Sequence, residues 1–399
     1  MFFLKKIGCR VFQVVFRLAL PILPYREPKL SSSCMELKDV FTSEGISSVL
    51  VVTDTGIINN GLLKPLEDVL CQSGVKYTVY NKTRPNPTVD NVEEALELYH
   101  KSKCQGLIAV GGGSSIDCAK AIGARVAYPK KQVGRLRGIL RVLRKTPTVI
   151  AIPTTAGTGS EVTLASVITD TKTQDKYALM SFPLIPHYAV LDPVLTYTLP
   201  PHLTATTGMD ALTHAVEAYI GRSTTKETRA LALEATRLIF ENIYEAYQNG
   251  QSHKARENML LASYKAGVAF SKSYVGYIHA IAHSLGGKYG IPHGLANAVI
   301  MPYVLENYGQ SVYKKLHQLA TIAGVSDEND THKLGAKKFI CAIKELNTKM
   351  GIPTKLDGII ESDIKELARH AEREANPLYP VPKLMTAKEL EKFYYRLIK

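Results

Sequence analysis

The chain has 399 residues, 45% of them hydrophobic, enough to bury a large core and to divide into two domains rather than one. Six scattered cysteines without a CxxC pair fit a reducing cytoplasm and argue against a disulfide framework or a structural zinc module. The net charge of +13 leaves room for an anionic partner, but no Trp, RNA-binding pattern or helix-turn-helix pattern accompanies it, so a nucleic-acid role is set aside.

The N-terminal stretch MFFLKKIGCRVFQVVFRLALPILP is apolar with early lysines, as in a signal peptide. Arg10 and Arg17 interrupt it, so no apolar run of about 18 residues remains to span a bilayer. No clear small-residue cleavage site follows. The expectation is an amphipathic helix docked on the protein or on a partner subunit, with a peripheral membrane contact as the alternative.

Ser47 to Asp54, SSVLVVTD, then reads as a buried strand ending in an acid. Gly61 to Gly74 has helical periodicity, and Val75 to Tyr80 is a second strand. Thr88 or Asp90 can cap the helix VEEALELYHKSK. Gly106 to Val110 is a strand that leads through a glycine run into a helix from about Ser115 to Ile122. Pro129 to Lys145, PKKQVGRLRGILRVLRK, contains no acid and is expected as an amphipathic helix or hairpin over the core. Thr148 to Pro153 is a further strand. Strands alternating with helices imply a parallel α/β sheet.

Beyond Pro153, Val162 to Asp170 and Tyr177 to Leu191 look extended, with DTKTQD as the turn between them. After Leu199-Pro200-Pro201 the chain is helical nearly to its end, with helices expected at Leu203 to Tyr219, Thr228 to Asn249, Ala255 to Ser271 and Thr331 to Met350. The boundary near Pro200 gives two domains. Residues 1–199 form an α/β domain with an N-terminal amphipathic helix, and residues 200–399 an all-helical domain.

Three motifs carry chemistry. In GLIAVGGGSSIDCAKAIG, strand, glycine turn and helix follow one another. Glycines let backbone approach a phosphate, and a helix N-terminus offers unpaired N–H groups and a positive dipole end. Asp54, at a strand end, suits an adenosine ribose and disfavours a 2′-phosphate, although a plain turn aspartate looks the same. TTAGTGSE, Thr154 to Glu161, offers hydroxyls and N–H groups just beyond a strand, where ligands of α/β sheets sit.

The third motif is histidine-rich. GMDALTHAVE holds Asp210 and His214, and GYIHAIAHSLGGKYGIPHGLAN holds His279, His283 and His293. Each i, i+4 pair shares one helix face, and His293 is expected at a helix start after a tight loop. Imidazoles with a carboxylate suit a divalent transition metal rather than calcium. Five candidates compete for four positions, and spacing does not choose among them. A metal with an open position would bind an alcohol oxygen and lower its pKa, so that the alkoxide gives hydride to a nicotinamide.

Taken together, GGGSSIDCAKAIG, IPTTAGTGSEVT, DPVLTYTLPPHLTATTGMDALTHAVEAY and HAIAHSLGGKYGIPHGLANAVIMP resemble the iron-containing, or group III, alcohol dehydrogenase family from about Ser47 to the C-terminus. The resemblance implies the dehydroquinate synthase-like/iron alcohol dehydrogenase fold. An α/β N-terminal dinucleotide-binding domain with a parallel sheet precedes an all-α C-terminal metal-binding domain, with the active site in the cleft between them. It implies metal ligands Asp210, His214, His279 and His293, and a catalytic role for His283 near substrate and nicotinamide. It places cofactor contacts on Asp54, Asn86, Gly111, Gly112, Gly113, Ser114, Ser115, Asp117, Thr154, Thr155, Thr158 and Lys176.

The implied cofactors are NAD, with NADP as the alternative, and Fe(II), with zinc or another divalent metal as alternatives, since Asp and His ligation does not separate them. The implied function is metal-dependent, NAD(P)-linked alcohol dehydrogenase or aldehyde reductase activity on a small molecule. The implied setting is a cytoplasmic homo-oligomer, a dimer or higher, with no integral membrane segment. Other readings are a glycerol or diol dehydrogenase of the same superfamily, a dehydroquinate synthase-like lyase, whose Glu/His/His site differs from this set, and an anionic-surface binding protein.

Overall fold

Residues 2–172 and 175–399 are described by a computed structural model. The chain separates into two units, one running from Pro24 to Leu199 and one from Pro200 to Lys399, joined by the segment up to Leu23.

The first unit is built on six parallel strands. Among the described residues the strands of the unit are β1 (Lys29–Ser31), β2 (Ser48–Val52), β3 (Lys76–Tyr80), β4 (Gly106–Gly111), β5 (Gly138–Ile139), β6 (Thr148–Pro153), β7 (Ala165–Asp170), β8 (Asp175–Met180) and β9 (Tyr188–Val190). The large sheet has the order β1-β9-β6-β4-β2-β3. Its central strands read SVLVV, GLIAVG and TVIAIP, near-continuous apolar runs that suit a sheet covered on both faces. Side chains alternate between two cores. Leu50, Val52, Leu107 and Ala109 face one layer, and Val49, Val51, Ile108 and Val110 face the other. Helix Val89–Lys101 begins with a capping box in which Thr88 and Asn91 satisfy each other's backbone N–H.

The smaller sheet pairs β7 with β8 antiparallel, as the extended stretches on either side of DTKTQD suggest; Thr173 and Gln174 of that turn lie outside the described residues. The basic stretch 129–145 is neither the expected helix nor a hairpin. It forms a 3-10 turn, Val133–Leu136, and then β5, which runs parallel to β8. Gly138, at φ +95°, takes a backbone conformation that a regular helix does not use. Val133, Leu136 and Val142 are buried and fix the path, while most of the cations stay in solvent.

Lys120 ties helix Gly113–Ala127 to the loop that follows β6. Its buried ammonium donates to Ser160 Oγ (3.0 Å), Thr163 Oγ1 (2.8 Å), Thr163 O (3.0 Å) and Ala165 O (2.8 Å), and Asp117 lies 3.9 Å away. Burial pulls this ammonium down to about 8, while Asp117 and Glu161 act in the opposite direction. Replacing Lys120 by Met orphans those acceptors and leaves Asp117 without its cation. The expected loss is about 3 kcal/mol. It should appear as a lower urea midpoint by circular dichroism, since the chain has no Trp. An unchanged midpoint would contradict this role.

The second unit is helical. Its longer members are Pro201–Ile220, Lys226–Gln248, His253–Ser273, Tyr277–Tyr289, His293–Tyr308, His332–Lys349 and Ile364–Ala375. Pro201 opens the first, a position where a missing N–H costs nothing. The N-terminal helix Phe2–Ala19 was expected with the α/β domain but packs on this unit instead. Arg10 donates to Val381 O (2.7 Å) and Pro382 O (3.0 Å), and Gln13 donates to Tyr379 O (2.8 Å). Carbonyls of an irregular segment thus hold the helix, a partner that no N-terminal pattern reveals.

Candidate active site

In the α/β unit, β2 pairs with β3 on one side and β4 on the other, so the chain reverses its direction of travel across the sheet there. Ligands of open α/β sheets bind beyond the strand ends at such a switch point. Asp54 leaves β2 and caps the short helix Thr55–Asn59 by accepting from Ile57 N. Gly111 ends β4 at φ +149°, and a Cβ there would meet Ser115 Oγ at 2.6 Å and Asp54 Oδ2 at 3.5 Å. A Cβ on Gly113 would meet Thr158 Cγ2 at 2.9 Å, and one on Gly112 would meet Thr155 at 3.5 Å. The glycine turn, Asp54 and the TTAGTGSE loop are therefore brought together, with backbone exposed where side chains would fill the space.

Asn86, in the left-handed region at φ +57°, donates its N–H to Ser114 Oγ (3.3 Å) and accepts from Lys176 Nζ (2.7 Å). Thr154 N–H bonds Gly111 O (3.0 Å). Asp117 is placed differently. Its carboxylate accepts from Ser160 Oγ (2.6 Å) and Val167 N (2.9 Å), so it anchors the loop from beneath. Ser115 Oγ is buried without a hydrogen-bond partner. A glycine turn at a helix start with an unsatisfied hydroxyl fits a phosphate group.

In the helical unit, Asp210 and His214 lie one turn apart on Pro201–Ile220, and His279 and His283 one turn apart on Tyr277–Tyr289. His293 is the first residue of its helix. The neighbouring Gly294 lets that helix start approach closely, since a Cβ there would sit 2.5 Å from Thr206 O. Asp210, His214, His279 and His293 each present one ligand atom, all within 4.8 Å of one another. Asp210 Oδ1 lies 3.5 Å from His293 Nε2 and 3.9 Å from His279 Nε2.

Three groups from outside this set hold it in place. Asn297 Nδ2 donates to Asp210 Oδ1 at 2.6 Å. Phe270 stacks on His214, with ring centroids 4.1 Å apart. Glu217 lies 2.7 Å from His279 Nδ1 and also accepts from Gly276 N (2.7 Å) and Ile278 N (2.8 Å). A carboxylate at Nδ1 puts the proton on that nitrogen and leaves the Nε2 lone pair for the centre. His279 Nε2 is buried and has no hydrogen-bond partner.

The electrostatics are those of a site short of positive charge. Burial pushes the Asp210 carboxyl up, against His214 and Asn297. Burial, then His214, His293 and His283, hold His279 well below the ordinary imidazole value, so it is neutral. Burial also pushes Glu217 up to about 7. Three imidazoles around a carboxylate, with one imidazole lone pair unsatisfied, match the donor set of a divalent metal.

His283 has a different environment. Its Nδ1 is 2.6 Å from Glu374 Oε1, and its ring stacks on His293 at 5.1 Å. Tyr379 Oη donates to the same carboxylate oxygen at 2.7 Å. Burial pushes Glu374 up, but His283 and Tyr379 outweigh it and hold the carboxyl below its usual value. Sequence reasoning missed Glu217, Asn297, Glu374 and Tyr379. Glu217 had a signal, since Asp210, His214 and Glu217 follow the i, i+4, i+7 pattern of one face. Glu374 is 91 residues from His283 and had none.

A glycine cradle at the switch point of a parallel sheet, and a helical unit holding an Asp–His₃ cluster, define the class: an enzyme built to hold a divalent metal. Comparison with known proteins narrows it. The model of the iron-containing alcohol dehydrogenases matches residues 31–193, and that of the Fe-containing alcohol dehydrogenase family, C-terminal, matches residues 204–398. The chain is 38% identical over 354 residues to 1,3-propanediol dehydrogenase of Citrobacter freundii, covering 88% of this chain and 91% of that one. A crystal structure of 1,3-propanediol oxidoreductase superposes with a TM-score of 0.90 at 34% identity, over 94% of this chain and 99% of that one. Sulfoacetaldehyde reductase from Bifidobacterium kashiwanohense, in complex with NAD+, gives 0.83 at 30% identity, over 94% and 98%. The chain belongs to the iron-containing alcohol dehydrogenase family, and its reaction class is that of a metal-dependent alcohol dehydrogenase.

Proposed function

We propose that this enzyme interconverts a small alcohol and its aldehyde with NAD, using Fe(II) held by Asp210, His214, His279 and His293. The observation that carries the reading is the convergence of those four ligand atoms within 4.8 Å around a buried, unpartnered His279 Nε2. The metal supplies Lewis acidity toward the substrate oxygen, and NAD supplies the hydride acceptor. The relative named for 1,3-propanediol supports a diol as substrate, a second form of the same reading. We carry a cytoplasmic homo-oligomer, a dimer or higher, forward with it; among the described residues no helix is long and apolar enough to cross a membrane.

The cradle residues bind and orient. Gly111, Gly112, Gly113, Ser114 and Ser115 offer backbone and hydroxyl groups to the pyrophosphate. Thr154, Thr155 and Thr158 line the facing loop, with Asn86 and Lys176 beside the turn and Asp117 anchoring the loop below. Asp54 accepts from the adenosine ribose and repels a 2′-phosphate. Asp54→Gly is expected to raise the NADP/NAD ratio of kcat/KM by about tenfold, the scale of one lost charge interaction. An unchanged ratio would remove Asp54 from this role.

His283 holds and moves the proton. Glu374 takes its Nδ1 and leaves Nε2 as the exchanging nitrogen. His283→Ala should keep its metal while kcat falls about 100-fold. Collapse of metal occupancy would make His283 a ligand. The deciding experiment for the whole reading is metal analysis of anaerobically purified protein, coupled to an NADH assay over alcohols, diols and aldehydes. Metal-free protein with full turnover would overturn it.

A further inference from the structure

Helix Phe2–Ala19 sits on its unit the wrong way round. On a surface helix the apolar stripe faces the core and the polar face meets water. Here the inner face carries Gln13 and Arg10, both spent on backbone carbonyls of residues 379–382, together with buried Cys9. At 100° per residue, Ile7, Val11, Val14, Val15 and Leu18 cluster on one arc centred opposite Cys9, with Arg10 at its edge, and all five are exposed. Val14 is 57% exposed, Val15 61% and Leu18 74%, and Ile22 just beyond is 83% exposed. A contiguous apolar face of this kind marks an interaction site.

The charge around the face selects its occupant. Residues 1–26 contain no acid, in a chain of net charge +13; Arg10 and Arg26 are held by backbone carbonyls, and Lys5, Lys6 and the exposed Arg17 are the other cations of the stretch. Beside the helix runs a groove of about 520 Å³ with Ile7, Val11 and Leu384 on its apolar wall and Lys6 and Lys383 at its rim. A second copy pairing through this face would set like charges against like, because a two-fold interface uses the same patch twice. An anionic bilayer answers both features, with acyl boundary for the apolar arc and headgroups for the cations. The helix also lies outside both family-matched regions, which begin at residue 31, so the face is not part of the shared catalytic core.

We propose that Phe2–Ala19 is an interfacial helix that docks the enzyme on an anionic lipid surface. It lies in the plane of the membrane with Ile7, Val11, Val14, Val15 and Leu18 in the headgroup–acyl boundary. The test is flotation of the full chain with phosphatidylcholine vesicles, with and without phosphatidylserine. Binding is expected only with phosphatidylserine and should weaken as salt is added. A Val14→Glu/Leu18→Glu variant changes exposed positions alone, so its alcohol turnover should match the parent while vesicle binding falls by about tenfold or more. Failure of the parent chain to float with anionic vesicles would overturn the proposal, as would equal flotation of the double variant. Self-association that the double variant abolishes, without vesicle binding, would assign the face to a second copy instead.

Discussion

His279→Ala is expected to empty the metal centre. The imidazole is buried, its Nδ1 is fixed on Glu217, and its Nε2 has no other partner to satisfy it. Alanine leaves three ligand groups and a void in place of the fourth. Changes one shell further out cost about 10–100-fold in metal affinity, so loss of a ligand should exceed that range. Metal polarisation of a substrate oxygen is worth several kcal/mol, and kcat/KM should fall by about 1,000-fold or more. The cradle residues belong to the other folding unit. NADH binding, followed by cofactor fluorescence, should therefore survive the substitution. Normal turnover in a variant shown to be metal-free would sink the ligand assignment, whereas loss of NADH binding would show that the substitution had damaged the fold.

What could be read in the chain follows from the range of the signal. Apolar runs at 48–52, 106–111 and 148–153 announce a parallel sheet because the fold covers both of its faces. The two i, i+4 pairs are helix geometry, visible without any tertiary knowledge. Spacing left five groups for four places. The structure separates them by contacts that spacing cannot carry: four ligand atoms converge, while His283 Nδ1 turns to Glu374. The stretch 129–145 misled because its leucines and valines recur at helical spacing, yet Gly134 and Gly138 interrupt it and a two-residue strand finds β8. The N-terminal helix was legible as amphipathic but not in its orientation. That depends on carbonyls 379–382, more than 360 residues away.

Glu217 is where stability and metal binding meet, and replacing it should separate the two. Its Oε1 accepts from Ile278 N, and its Oε2 accepts from Gly276 N and lies on His279 Nδ1. Gly276 is tight against it, since a Cβ there would fall 2.7 Å from Oε1. Glu217→Ala leaves two buried backbone N–H groups at the start of helix Tyr277–Tyr289 without acceptors. The expected cost is about 3 kcal/mol, at roughly 1–3 for each orphaned donor. Glu217→Gln keeps the shape and one acceptor oxygen but introduces an amide that faces a donor in either orientation. If the amide faces His279, the imidazole must accept at Nδ1 and carry its proton on Nε2, toward the metal centre. If it faces Ile278, a donor opposes a donor at the helix start. Glu217→Gln should therefore weaken metal binding by about 10–100-fold in a chelator competition and destabilise the unit less than Ala does. Metal affinity equal to the parent in both variants would show that Glu217 serves the helix start alone and that the His279 tautomer is set by something else.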